Sequence, residues 1–276
     1  AGHGTLTKAP RRGSLPAMAE GDVIWLELNA QRAARAVGFW RDLMGWDVGA
    51  MHVAPWGMLA VFRQRGTAFG LAFNAMGAFA PPRWLPSFEG DVAAAAARVT
   101  AAGGEAAGAP QRIPGHGTVV TFRDPAGALA KVIAPEGGLP DAGPGGILGA
   151  GLWARGATAL APFYADLLGR EAREPVEAGP GGRVTLLSGD KGARPLWLHD
   201  VDYEVTPPRW VPVFHSLAPR GDGRRAEILG ATVQVPPWDP GAGPALALGL
   251  AVAGVWSDPA GADFALARPS EHGADP

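Results

Sequence analysis

Cysteine is absent from this 276-residue chain, which excludes disulfides, thiolate metal sites and thiol catalysis together. That usage fits a reducing compartment. Charge is scarce as well: charged residues make up 18%, and 24 basic against 26 acidic side chains leave a net charge of −2. No broad electrostatic footprint for nucleic acid or an anionic membrane follows from such a balance. The longest apolar stretch, residues 244–256, is too short to cross a bilayer, and the N-terminus has no secretory pattern. These absences predict a soluble, cytoplasmic protein whose partners include neither nucleic acid nor membrane. Tyrosine, too, occurs only twice, against ten Trp and ten Phe. An indole offers a large flat apolar face and one donor, so an excess can fill a core or line a pocket for flat ligands. Glycine (41) and proline (27) are abundant, but a hydrophobic share of 47% argues against low complexity. At ~150 residues per domain, the length suggests about two domains.

Internal repetition organises the chain. Gly-Phe-Trp-Arg-Asp-Leu-Met-Gly at 38–45 recurs as Pro-Phe-Tyr-Ala-Asp-Leu-Leu-Gly at 162–169, 124 residues later. Pro-Pro-Arg-Trp-Leu-Pro-Ser-Phe at 81–88 recurs 126 residues later as Pro-Pro-Arg-Trp-Val-Pro-Val-Phe, and Asp-Pro-Ala-Gly-Ala at 124–128 recurs 134 later. Three blocks in one order with slowly growing offsets mean a tandem duplication with insertions in the second copy. Residues 135–146, rich in Gly and Pro, read as the join. The expected organisation is a leader or tag at 1–18, domains at 19–136 and 146–270 separated by a linker at 137–145, and a tail at 271–276.

Residues 23–28 alternate like a strand, with Trp25 and Glu27 on one side. Ala33, Ala36, Val37, Trp40 and Met44 then fall on one helical stripe, with Asn29 as a candidate cap and Gly45 as a stop. The second copy repeats the stripe as Ala157, Leu160, Ala161, Tyr164 and Leu168. Strands are expected at 47–53, 57–63 and 68–74, then a second unit with strands at 84–88, 118–123 and 129–133 around an Ala-rich helix at 91–102. Each copy thus comprises two βαβββ units, and four such units predict an α+β chain of curved sheets backed by helices.

A strand, a helix ending in Phe-Trp/Tyr-x-x-Leu-x-Gly, Pro-Arg-Trp before a further strand, an Ala-rich helix with Gly-Gly, and Asp-Pro-Ala-Gly-Ala together resemble the vicinal oxygen chelate superfamily. This superfamily contains glyoxalases, bleomycin-resistance proteins and extradiol dioxygenases; the tandem form is similar to its two-domain glyoxalase-like members, often called hydroxylases in secondary metabolism. The resemblance implies two tandem domains, each a sheet curled into a cup, and metal ligands on the first, fourth, fifth and eighth strands of a domain. Aligned on the motifs, those positions carry Trp25, Leu85 or Pro86, and Lys131 in the first copy. They carry Gly149, Val211 or Pro212, and Ala265 in the second. Divalent ions need several convergent N or O donors, so neither a metal site nor a cofactor is expected.

Among the six histidines, His199 on an expected fourth strand is the best ligand or acid/base candidate. His3 and His272 lie in the leader and tail, and His52, His116 and His215 at strand ends or loops. Glu27 shares a face with Trp25, and the resemblance puts Lys131 where a metal-binding carboxylate would stand. Glu27, Lys131 and His199 are therefore the candidate catalytic groups. The Glu27 and Lys131 pair can polarise a bound carbonyl or phenol or shuttle a proton; it can equally be a structural salt bridge, or Lys131 can extend to the rim. Trp25, Trp56, Phe62, Phe73, Trp153, Trp197 and Trp256 are candidate ligand-binding aromatics, with core filling as the alternative for each. Trp40, Trp84 and Trp210 read as scaffold. The expected function is metal-independent binding of a hydrophobic aromatic molecule, by a monomer or homodimer, in natural-product biosynthesis or resistance by sequestration. A metal-independent tailoring enzyme and a metal-dependent glyoxalase or dioxygenase are the alternatives.

Overall fold

The structure is a computed structural model describing residues 21–53, 57–74, 81–113, 116–136, 145–177, 182–190, 193–201, 207–238 and 249–269. The first half runs β1 (Val23–Ala30), α1 (Ala33–Met44), β2 (Asp47–Val53), β3 (Gly57–Gln64), β4 (Thr67–Asn74), β5 (Arg83–Glu89), α2 (Val92–Ala101), β6 (Glu105–Ala106), β7 (Gln111–Ile113), β8 (Gly117–Arg123) and β9 (Leu129–Pro135). The second half repeats this order as β10 (Ile147–Ala154), a 3-10 turn (Ala157–Leu160), α3 (Ala161–Leu168), β11 (Glu171–Ala172), β12 (Val176–Glu177), β13 (Arg183–Ser188), β14 (Leu196–Asp200), β15 (Arg209–His215), α4 (Pro219–Ile228), β16 (Thr232–Trp238), β17 (Leu250–Ser257) and β18 (Asp263–Pro269). The fold is α+β, a strand-rich curved sheet with few helices. No helix of the described residues is long and apolar enough to cross a membrane.

Local signals explain the elements. The stripe of α1 buries Ala33, Ala36, Phe39, Trp40 and Leu43, and Gly45 ends the helix at φ 68, a left-handed conformation glycine adopts without cost. Its cap differs from the expected one: Asn29 stays in β1, and Asn74 of β4 accepts the Ala33 N–H at 3.3 Å. In α2 the Asp91 carboxylate caps the N–H groups of Ala93 and Ala94.

In each half the strands curl around a central four. β1 pairs parallel with β4 and antiparallel with β5, and β5 pairs parallel with β9. Likewise β10 pairs with β14 and β15, and β15 with β18. The two sheets meet where Trp84 of β5 pairs with Trp210 of β15. The main hydrophobic cluster draws on both halves and all four helices.

Polar contacts also cross between halves. The Trp40 indole N–H donates to Asp258 at 3.1 Å, and the Tyr164 hydroxyl donates to Asp124 at 2.7 Å. The first helix of each copy, α1 or α3, thus closes the Asp-Pro-Ala-Gly-Ala turn of the other. Asp22 lies between two buried guanidinium groups, 3.1 Å from Arg194 and 3.4 Å from Arg170. Arg170 also donates to the carbonyls of Gly21, Leu187 and Arg194.

Candidate functional site

The concave faces of the two sheets differ in content. In the first half a cavity of about 260 Å³ opens between β1, β3, β4, β5, β8 and β9. Its walls are largely apolar, with Met51, Leu59, Leu71, Phe73, Leu85, Ile113 and Val119 contributing. Period-two alternation carries Trp25, Glu27 and Asn29 of β1 to this face, and β9 brings Lys131 alongside, since Lys131 is in register with Ser87 and Ser87 with Trp25. The Lys131 ammonium donates to the Glu27 carboxylate, both side chains being little exposed at 13% and 11%. The cavity therefore holds a neutralised ion pair inside an apolar wall.

His116, just before β8, lies against Trp25 with ring centroids 4.2 Å apart. Burial pushes its pKa down to about 4, against the opposing pull of the Glu27 charge, so the ring is neutral at pH 7. The Trp25 Nε1 and the His116 Nε2 are buried and have no hydrogen-bond partner among the described residues. His116, expected only at a strand end or loop, comes to lie beside Trp25 because β8 pairs with β9 and β9 with β5.

The second half fills the matching space with its own side chains. The positions of Trp25 and Glu27 are taken there by Gly149 and Gly151, while β14 carries Trp197 and His199 where β4 carries Leu71 and Phe73. A Cβ on Gly149 would lie 2.6 Å from the Trp197 ring, and one on Gly151 3.1 Å from His199. The bulk has moved from one strand to its neighbour. Trp153 stacks on His199 at 5.0 Å, and Trp153, Trp197, Val184, Val211, Val213 and Ala265 form one cluster. Burial holds the His199 pKa down to about 4.

These placements bring Trp25, Glu27, Phe73 and Lys131 together and separate the other candidates from them. His199, Trp153 and Trp197 pack in the second half. Phe62, expected in the cup, instead faces the helices and packs on Trp46 and Phe69, because its neighbours Val61 and Leu59 take the concave side of β3. Trp256 is likewise a core residue: it is fully buried, stacks on Phe264 and leaves no room for a Cβ on Gly223 of α4. Trp56 lies outside the described residues.

The donor set does not fit a divalent cation. The described residues of the cavity lining offer one carboxylate, Glu27, already bonded to an ammonium, and one imidazole, His116, with no second carboxylate or imidazole beside them. Among the described residues no three His, Asp or Glu side chains come close enough together to hold a metal ion.

Comparison with known proteins agrees on the scaffold. Residues 23–132 match the model of the Glyoxalase/Bleomycin resistance protein/Dioxygenase superfamily. The chain is 29% identical over 116 residues to CFP32 of Mycobacterium bovis and of Mycobacterium tuberculosis, whose name describes a candidate glyoxylase. That match spans 42% of this chain and 44% of the relative, less than half of either. Among solved structures, the Mn(II)-bound glyoxalase from Novosphingobium aromaticivorans superposes with a TM-score of 0.62 at 17% identity, over 91% of this chain and 82% of that one. The 2,2',3-trihydroxybiphenyl 1,2-dioxygenase of Sphingomonas wittichii gives 0.64 at 15%, over 93% and 99%. A variant of homoprotocatechuate 2,3-dioxygenase from B. fuscum gives 0.66 at 13%, over 98% and 76%. Residues 23–132 thus belong to the glyoxalase, bleomycin resistance protein and dioxygenase superfamily, the vicinal oxygen chelate superfamily, and the whole chain carries its fold.

Proposed function

We propose that the first-half cup binds one small, flat, neutral molecule, aromatic and bearing hydroxyl or carbonyl oxygen, without a metal ion. The observation that carries this reading is the contrast between the cups. One keeps an apolar-walled cavity around the Glu27–Lys131 pair, and in the other Trp153, Trp197 and His199 take the space beside Gly149 and Gly151. Apolar walls with a few convergent polar groups suit such a ligand. A charged ligand would find no net countercharge, because Glu27 and Lys131 cancel and His116 is neutral. Trihydroxybiphenyl and homoprotocatechuate, named with two of the structural relatives, are also hydroxylated aromatics. In this reading the chain handles a natural product or related metabolite, in biosynthesis or in resistance by sequestration.

Titration calorimetry with a neutral hydroxynaphthoquinone tests the reading, and this chain has no thiol to react with the quinone. One molecule should bind per chain, and Leu71→Trp, which fills the cup as Trp197 fills the other, should weaken binding at least about tenfold. Equal binding by that variant, or two sites per chain, would overturn it.

The same geometry favours a second reading, a tailoring enzyme that moves a proton between the bound molecule and Glu27. Lys131 donates to the Glu27 carboxylate and fixes its position for that step. A Glu27→Gln chain that binds its ligand but no longer converts it distinguishes enzyme from binding protein.

A further inference from the structure

The repeated Pro-Pro-Arg-Trp motif has a second consequence away from the cup. Its Trp residues join the two sheets, and both Pro-Pro-Arg arms line one cavity of about 230 Å³ at that joint, together with Gln234, Ser257, Gly261 and Asp263. The two arginines differ in their surroundings. Arg209 lies 2.5 Å from the Asp263 carboxylate, which also accepts the Ser257 hydroxyl. Arg83 has no such partner among the described residues. The residue that matches Asp263 in the first copy is Leu129: each stands opposite the residue before an Asp-Pro-Ala-Gly-Ala turn, Ser257 and Arg123 respectively.

Among the described residues the Arg83 guanidinium makes no hydrogen bond or ion pair, although it is half-buried. Burial, and after it the like charge of Arg123, pushes the Arg83 pKa down. A guanidinium out of water without a partner is costly, and its planar fork of donors matches a carboxylate or phosphate in bidentate fashion. With Arg209 and Asp263 compensating one another, the described lining residues retain one positive charge, and the Gln234 amide lines the same space.

We infer that this joint is a binding site for a small oxyanion, a carboxylate or a phosphate, held by Arg83. The duplication made the site: one copy has the internal carboxylate, and the other lacks it and leaves the position to a ligand. The site is separate from the first-half cup, with which it shares no lining residue.

The test is calorimetric titration of the full chain with inorganic phosphate and, separately, acetate, at constant ionic strength set with chloride. Saturable binding of one anion per chain is expected, and the stronger of the two anions identifies the ligand class. Arg83→Gln should weaken that binding at least tenfold. Leu129→Asp supplies the carboxylate that the second copy has, so it should abolish anion binding while raising the melting temperature, and it keeps the test decisive should Arg83→Gln fail to fold. The inference is overturned if neither anion binds the unmodified chain saturably, or if Arg83→Gln or Leu129→Asp binds as the unmodified chain does.

Discussion

Replacing Asp22 with alanine should destabilise the protein more than any surface charge removal, because its carboxylate answers two guanidinium groups that have almost no water. Asp22 is 5% exposed; it accepts the Arg194 backbone N–H at 2.7 Å and the Arg194 guanidinium at 3.1 Å, with Arg170 at 3.4 Å. Removing one partner of a buried ion pair typically costs about 3–5 kcal/mol, because the other charge stays buried. Here the lower end applies. Arg170 keeps its bonds to the carbonyls of Gly21 and Arg194, and Arg194 keeps those to Ile147 and Val23. A loss of about 3 kcal/mol corresponds to a fall of roughly 6–12 °C in melting temperature for a chain of this size. Urea unfolding followed by circular dichroism, with calorimetry for the midpoint, measures both quantities. The paired groups come from both halves, so the two halves should lose stability together in one transition. A loss below about 1 kcal/mol would refute the argument, since it would mean that the carbonyls alone satisfy the guanidinium groups.

Stability should also depend on pH in a defined window. His116 and His199 have folded pKa values near 4 against an ordinary 6.5, so their contribution is present in full above pH 6.5 and is lost as pH falls towards 4. Asp258, raised to about 6 by burial, works in the opposite sense: its contribution is complete below its ordinary 3.8 and is lost as pH rises through 6. Two losses against one gain predict a fall of about 1.4 kcal/mol per pH unit between pH 6 and 5, read from urea midpoints. His116→Gln should nearly flatten that slope, and stability that rises on acidification would contradict the assignment. Trp197→Leu should cost about 2–4 kcal/mol by opening a cavity in the second half. In calorimetry that chain should gain affinity for toluene but no second site for the hydroxynaphthoquinone, because Ala265 stands where the first half has Lys131.

The duplication, the helical stripes and the alternation that puts Trp25 and Glu27 on one face were all legible in the sequence, because each is a local pattern. The facing of Phe62 and Trp256 was not. Strands in this fold are buried on both faces, one against the helices and one towards the cup, so apolar alternation says that sides differ but not which side is which. The filling of the second cup was hidden for another reason. Gly149 reads as a lost ligand position, whereas the rings that occupy the space beside it and Gly151 come from β14, some 46 residues on, through parallel pairing. The unpartnered nitrogens of Trp25 and His116 are likewise a property of tertiary neighbours.

The exchange of Trp40 and Tyr164 between the two Asp-Pro-Ala-Gly-Ala turns constrains how this chain can change over generations. A duplicated gene ordinarily leaves each copy free to drift, be lost, or be traded for a relative's version. Here a substitution in either helix alters the turn of the opposite copy, so the halves are inherited as a matched set. The freedom that duplication grants is wider at positions outside this exchange, such as Gly149, Gly151 and Leu129, where the two copies have diverged in size and polarity.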